Sequence, residues 1–431
     1  MSSAGPWLRR QAPTLLLAAA CLLFLVRGVG RGLSNGYDFV TPFAQAGAWL
    51  EGTSPYDAAQ VERVLTERAP GRPGVVPPHT PLVFPPTTLI APMLVAADGW
   101  PLARSIWVLL SAAVYLAAIV GASAIALPGA RQRARRQVVV ASSLAAVPVQ
   151  TGLSLGQLAV ISAACIVWSI ARTEKDDRPG DSLCLASACL VKPPLGASAF
   201  LAAMLFRRRW AAGIGGLAVI LAAALSVWLL PDRLEDLRRW RAQVETWVAA
   251  SPDLDPLGAW AWQRLDLTPI AARLIPEPRA AAAVGWCFLA GIGGWLAISM
   301  WSGQRETDRW AMATSVVAAF LTAGYHRYYD LAALMPVAIL WLARMHPFRA
   351  ATGWLAAACT AGLAVPTQTV CHAWGWTDFA PPSSPSGRLL EGLFAGHQAL
   401  LLVALAILAA RSVTSPVVPG AQARRERAGD T

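Results

Sequence analysis

Apolar runs of about twenty residues recur along this whole chain, and no other feature restricts its fold as much. A run of that length, wound as an α-helix, matches the hydrocarbon thickness of a bilayer. Lipid offers no hydrogen-bond partners, so each run must satisfy its own backbone, as a helix does and an open sheet does not. Composition agrees. Of the 431 residues 55% are hydrophobic and 14% charged, with a mean hydropathy of +0.46, whereas soluble domains carry about 25% charged residues. The chain reads as an all-α, polytopic integral membrane protein.

The first run, Leu15 to Val26, follows Arg9 and Arg10. Its Ala-Ala-Ala-Cys lies inside the run and no export cleavage site follows, so it reads as a retained helix with a cytoplasmic N-terminus. Helices are expected at 12–30, 82–98, 103–127, 138–152, 156–172, 183–205, 210–230, 280–301, 310–325, 329–345, 352–366 and 391–411. Residues 1–411 thus form one transmembrane domain, and 412–431 a basic, disordered cytoplasmic tail. No internal repeat is apparent. Arg207 to Arg209, Arg305 with Arg309, Arg344 with Arg349, and Arg424, Arg425 and Arg427 mark cytoplasmic segments, because positive charge stays inside. Outside lie 31–80, 231–278, 326–330 and 367–390. Twelve spans put the basic stretch 131–136 outside, against the rule; ten put it inside if 82–98 and 183–205 are broken or re-entrant. Both segments are long enough to cross, which favours twelve.

The outer segments 31–80 and 231–278 contain amphipathic stretches, including Leu234 to Val248 with Trp240 and Trp247. Such helices lie along a membrane face and roof a lateral cavity. The net charge of +11 does not mark a nucleic-acid binder, since the arginines are scattered through short loops. It suits anionic headgroups, or a substrate carrying phosphate. Six of the seven cysteines sit in apolar runs and Cys371 has no loop partner, so neither a disulfide nor a zinc site is implied. No metal or other cofactor is expected.

The residues able to carry chemistry are few. Asp38, in Tyr37-Asp38-Phe39, follows the first run directly, where a partly desolvated carboxylate can act as a general base or merely cap a helix. Asp57 closes a Gly-x-x-Pro-Tyr-Asp turn and is a cap or a substrate contact. Lys192 stands in the apolar segment CLVKPPLG, where Pro193 and Pro194 break the helix. An intramembrane lysine is costly and is either functional or snorkelling. Gln157, after a glycine in LSLGQLAV, is an interhelical hydrogen-bond partner or a substrate contact. The cluster YHRYYD (325–330) sits between two apolar runs. There His326 and Arg327 can meet a phosphate, Tyr328 and Tyr329 can stack on a sugar, and Asp330 can neutralise Arg327. These parts suit glycosyl transfer from a polyprenyl-phosphate sugar, which needs a base on the acceptor hydroxyl and cations around the departing phosphate.

In this order the first-loop DF and PYD, VFPPTTLIAP (83–92), LGQ (155–157), LVKPPL (190–195) and YYDLAALMP (328–336) resemble family GT87, bacterial polyprenyl-phosphate-mannose-dependent mannosyltransferases of GT-C fold. The resemblance covers about residues 15 to 345; Thr322-Ala323-Gly324 stands where Ser-Pro often precedes the late motif. It implies 10–12 transmembrane helices with extracytoplasmic loop helices, and an inverting transfer of a hexose, mannose in the best-known members. The transfer runs from a polyprenyl-phosphate donor to a lipid or glycan acceptor outside the bacterial plasma membrane. It places Asp38 as the catalytic base, Lys192 as the intramembrane lysine and His326 as the histidine of the late motif. A transporter or flippase of lipid-linked saccharides is the alternative; it would use the same cavity and cations without a base. A substrate-free scaffold has no need of a cation at a helix break.

Overall fold

The computed structural model describes residues 4–69, 82–172, 179–206, 208–251, 254–258, 261–301, 308–345, 351–366 and 396–414. Cys371, the expected outer loop 367–390 and all but the first residues of the expected tail lie outside them. Among the described residues the regular structure is helical, with a single isolated bridge between Arg264 and Arg327.

Among the described residues four helices are long and apolar enough to cross a bilayer alone: Arg10–Ser34, Trp100–Ala126, Ala211–Trp228 and Pro278–Trp301. Ala130–Ala145 and Val147–Leu155 are an apolar pair bent by 49°, the geometry of a broken span or a re-entrant loop; Pro148, at the start of the second helix, cannot continue a hydrogen-bond ladder. Seven further apolar helices have 10–17 residues. Several of these are enclosed by protein: Arg309–Leu321 is buried along nearly its whole length.

Two expected crossings differ. The 82–98 segment yields only Pro86–Ala96, an 11-residue helix, about 16 Å long and too short for a core of about 30 Å. The 183–205 segment splits at Lys192 into Pro179–Val191 and Pro193–Leu205. Pro193 and Pro194 cannot extend the first helix but suit the opening turn of the second. The two arms fold into a hairpin: a Cβ on Gly196 would lie 2.3 Å from the Cys189 backbone nitrogen, so only glycine permits this approach.

Side-chain contacts give the direction of each helix. Trp107 Nε1 donates to the Gly156 carbonyl at 3.0 Å and Gly121 packs on Trp168, so Trp100–Ala126 and Ala159–Arg172 run parallel. Their far ends meet arginines. Arg344 donates to the Ala126 carbonyl at 3.0 Å, and Arg172 and Arg208 both reach Asp181 at 3.4 Å. The basic 131–136 stretch, which follows Ala126 directly, also falls at this arginine end.

The opposite end carries a second core. Phe39, Phe43, Trp100 and Trp107 are fully or nearly fully buried there, with the Phe39 and Trp107 rings stacked at 4.5 Å and 6°. Such a pair contributes about 0.5–1.5 kcal/mol beyond its burial. The helices Val40–Leu50, Ala58–Arg68 and Arg233–Ala250 pack on this core. Trp49 Nε1 bonds the Leu229 carbonyl and Trp240 Nε1 the Val83 carbonyl, each at 3.0 Å.

Candidate active site

A cavity of about 720 Å³ opens among these outer elements, within the size range of small-molecule sites. Asp38 reaches it from a 3₁₀ turn, Tyr37–Phe39, between the first crossing helix and Val40–Leu50. Phe39 is anchored in the aromatic core and Tyr37 is 47% exposed, which leaves Asp38 on the cavity wall. Gln157 Nε2 donates to Asp38 Oδ2. The glutamine is placed by Gly156, whose φ of 72° ends the Val147–Leu155 helix in the left-handed region. That turn is what the LGQ motif encodes.

Lys192 enters from the hairpin apex. Its ammonium crosses to Asp330 Oδ1 and lies 4.7 Å from the Tyr329 ring centre. The charge is thus held by a carboxylate and an aromatic face, and it stands on the cavity wall. It does not snorkel to the surface.

Asp330 organises the 325–330 cluster. Its Oδ2 faces His326 Nδ1 at 3.2 Å and accepts the Arg327 backbone N–H at 3.2 Å, and the side chain is 4% exposed. Burial raises its pKa, but the charge of Lys192 and the hydrogen bond and charge of His326 outweigh it, holding the carboxyl at about 2. An ionised carboxylate only accepts, so His326 Nδ1 carries the proton of their contact. Asp330 thus meets Lys192 and His326 through their side chains and Arg327 through its backbone N–H. The Arg327 guanidinium lies 5.8 Å from the Tyr325 ring centre and donates from Nε to the Tyr325 hydroxyl at 2.5 Å. Tyr329 is half-buried between charges; burial, then Asp330 and Asp38, push its hydroxyl pKa well above the usual phenol range.

Asp38, Gln157, Lys192, His326, Arg327 and Tyr329 all line the one cavity. Asp57 does not. Its carboxylate caps the Ala58–Arg68 helix, accepting from Ala59 N–H at 2.9 Å and Gln60 N–H at 3.3 Å. Tyr328 also turns away, its hydroxyl donating to the Ala364 carbonyl at 2.6 Å.

Other residues entered the site unannounced. Trp247 borders the cavity and meets Tyr325 edge-on at 5.7 Å; its signal was the apolar face of an amphipathic helix, with no hint that the tryptophan dips inward. Arg264, clamped by Asp266 through two 2.9 Å bonds, lies 5.5 Å from the same tyrosine ring. Leu265 N–H donates to the His326 carbonyl at 2.9 Å, and Leu267 N–H to the Thr322 carbonyl at 3.1 Å. The second outer segment thereby braces the cationic wall. Among the described residues no three His, Cys, Asp or Glu side chains gather as metal ligands.

A family model described as Glycosyltransferase family 87 matches residues 77–324, more than half of the chain. Gln157 and Lys192 fall inside the matched range, Asp38 before it and the His326–Asp330 cluster after it. Comparison with curated proteins and with solved structures gives no match.

Proposed function

The chain belongs to glycosyltransferase family 87, and from that premise we propose that it transfers mannose from polyprenyl-phosphate mannose to a lipid or glycan acceptor, with inversion. The observation that carries this reading is the convergence of Asp38, Lys192, His326 and Arg327 on one cavity from three distant parts of the sequence.

In this reaction Asp38 takes the proton of an acceptor hydroxyl as the acceptor oxygen bonds to the anomeric carbon. The bond from that carbon to the phosphate oxygen breaks, and its electron pair leaves with the polyprenyl phosphate. Gln157 fixes the Asp38 carboxylate for in-line approach. Lys192 and Arg327 face the phosphate.

The arginines at the far end face the cytoplasm of a bacterial plasma membrane in this reading, so the cavity opens on the extracytoplasmic side. Trp247, Trp286 and Phe320 give it apolar walls for a lipid-borne substrate.

The test is transfer of radiolabelled mannose from polyprenyl-phosphate mannose in membrane vesicles that contain the chain, compared with vesicles that lack it. Label should enter an endogenous lipid or glycan only with the chain present. Equal labelling of both preparations, or transfer from a nucleotide sugar with no polyprenyl carrier, overturns the reading.

A further inference from the structure

Resting on the donor reading above, we propose that Thr41 and Thr88 form the acceptor subsite of this cavity and bind a second hydroxyl beside the one that Asp38 deprotonates. The acceptor is then a polyol, a sugar or cyclitol ring, and not a lipid alcohol with a single hydroxyl. The cavity sorts its charge. Among the described residues that line it, the cations are Lys192 at the hairpin apex and those of the 325–330 cluster. Segments 37–41 and 83–88 line it with Thr41 and Thr88 and with apolar Val83, Phe84 and Pro85, and Asp38 is their one charge. An anionic donor belongs with the cations. A neutral molecule rich in hydroxyls belongs with groups that both donate and accept, as a threonine hydroxyl does.

The backbone brings the two threonines together. Thr41 lies three residues after Asp38, in the first turn of Val40–Leu50, and is 6% exposed. Side chains three apart on helical turns are neighbours, about 5–6 Å apart at Cβ, a spacing that two adjacent ring hydroxyls can bridge. Thr88 lies in the first turn of Pro86–Ala96. The two helices run in the same direction. Both threonines border the cavity near the helix starts, and near the ends a Cβ on Gly47 would lie 3.8 Å from the Ala96 carbonyl.

The backbone acceptors of this wall are engaged. The Val83 carbonyl accepts from Trp240 Nε1 at 3.0 Å, the Phe84 carbonyl from the Tyr56 hydroxyl at 2.9 Å and the Pro85 carbonyl from Thr88 N–H at 2.9 Å. The Thr88 side chain differs: its Oγ1 is buried with no hydrogen-bond partner among the described residues. A stranded hydroxyl is costly, and valine has the same shape without that cost. A wall that only packs is better served by valine. A threonine in a helix has two χ1 positions, so Oγ1 can turn to a ligand hydroxyl without a backbone shift.

The experiment supplies membrane vesicles containing the full chain with radiolabelled polyprenyl-phosphate mannose. Separate arms receive decyl mannoside or decanol at equal concentration. The wild type should label the mannoside at least about tenfold faster, as expected of a site that pairs a substrate hydroxyl. Thr41→Val and Thr88→Val should each lower kcat/KM for the mannoside by about ten- to a hundredfold, the effect of one unpaired buried hydroxyl, with the KM for the donor unchanged. Thr41→Ser and Thr88→Ser, which keep the hydroxyl, should retain most of the mannoside rate. Thr88→Val should not lower Tm, which separates a ligand contact from a packing role. Equal labelling of both probes by the wild type overturns the proposal and leaves the donor reading standing, and so does a preference that survives both valine variants. Where only the endogenous acceptor is labelled, the same variants are compared on it and its product is hydrolysed. Mannose on a sugar or cyclitol, with the loss in the valine variants, supports the subsite; mannose on a lipid alcohol with one hydroxyl overturns it. If the wild type labels nothing, the donor reading falls and the proposal with it.

Discussion

The hairpin made by Pro179–Val191 and Pro193–Leu205 is clasped at both ends by a buried carboxylate shared between two basic side chains. At the apex Asp330, 3% exposed, holds Lys192 and His326. At the base Asp181, 4% exposed, holds Arg172 and Arg208 at 3.4 Å each. By burial and charge alone the two clusters are hard to tell apart. What separates them is adjacent space: Lys192, His326 and Asp330 border the cavity, while Asp181 and its arginines do not. An ion cluster in a membrane protein is first a device for bringing charge inside. It becomes a site only where a ligand can reach the charges.

The largest effect that tests this contrast comes from Asp38, the carboxylate of the same cavity that accepts from Gln157. Asp38→Asn keeps the shape and the Gln157 contact but removes the base. Mannose transfer should fall by roughly 10²–10⁴-fold at matched protein levels, the usual share of a general base. Transfer within a few fold of wild type would move the base elsewhere in the cavity.

Next comes Lys192→Met, which keeps the stem length and removes the charge. Transfer should fall by roughly 10²–10³-fold through lost phosphate stabilisation. Asp330 keeps His326 but loses its ammonium partner, so thermal unfolding in detergent should also move down. An unchanged transfer rate per folded molecule would make the apex clasp as purely structural as the base.

The matching change at the base, Asp181→Asn, should show the reverse pattern. Breaking a buried pair costs about 3–5 kcal/mol when geometry is tight. Here both contacts are 3.4 Å and Arg172 is one-fifth exposed, so a loss of about 1–3 kcal/mol is expected, read as a lower Tm. Transfer per folded molecule should not change. A large fall in that rate would end the distinction between the two clusters.

The two ends also differ in how far the sequence revealed them. The all-α membrane fold was legible because apolar length and charge depletion are local properties, read one segment at a time. Lys192 stood out for the same reason: a cation in an apolar run beside two prolines needs no partner to be conspicuous. Its partner, Asp330, was visible only as a neighbour of Arg327, since the contact joins positions 138 residues apart. Asp181 gave no signal, because an aspartate beside a polar loop looks solvated until helix packing encloses it. The 82–98 segment misled for a related reason. Its apolar length was real, but Pro85 and Pro86 fix where its helix starts and Ala96 ends it against Gly47 and Arg68. Burial within protein explains Leu89, Pro92, Val95 and Ala96, while Ile90 and Leu94 remain exposed.

The smallest effect concerns the other half of the first-loop motif, and it tests whether resemblance to a motif is enough to assign a role. Asp57 lies nineteen residues after Asp38 in the same outer segment, and both are carboxylates beside aromatic residues. Ser54 and Tyr56 around it are occupied with structure: Ser54 donates to the buried Asp236, and the Tyr56 hydroxyl bonds the Phe84 carbonyl at 2.9 Å. Asp57 itself satisfies two N–H groups at the start of Ala58–Arg68. Asp57→Ala should cost about 1 kcal/mol of stability, the usual loss for an N-cap, and leave the rate of transfer unaltered. Asp57→Asn or Asp57→Ser, which keep a capping oxygen, should recover most of that stability. If Asp57→Ala instead slows transfer and a capping residue fails to restore it, the carboxylate serves the substrate. The difference between the two aspartates would then be one of degree.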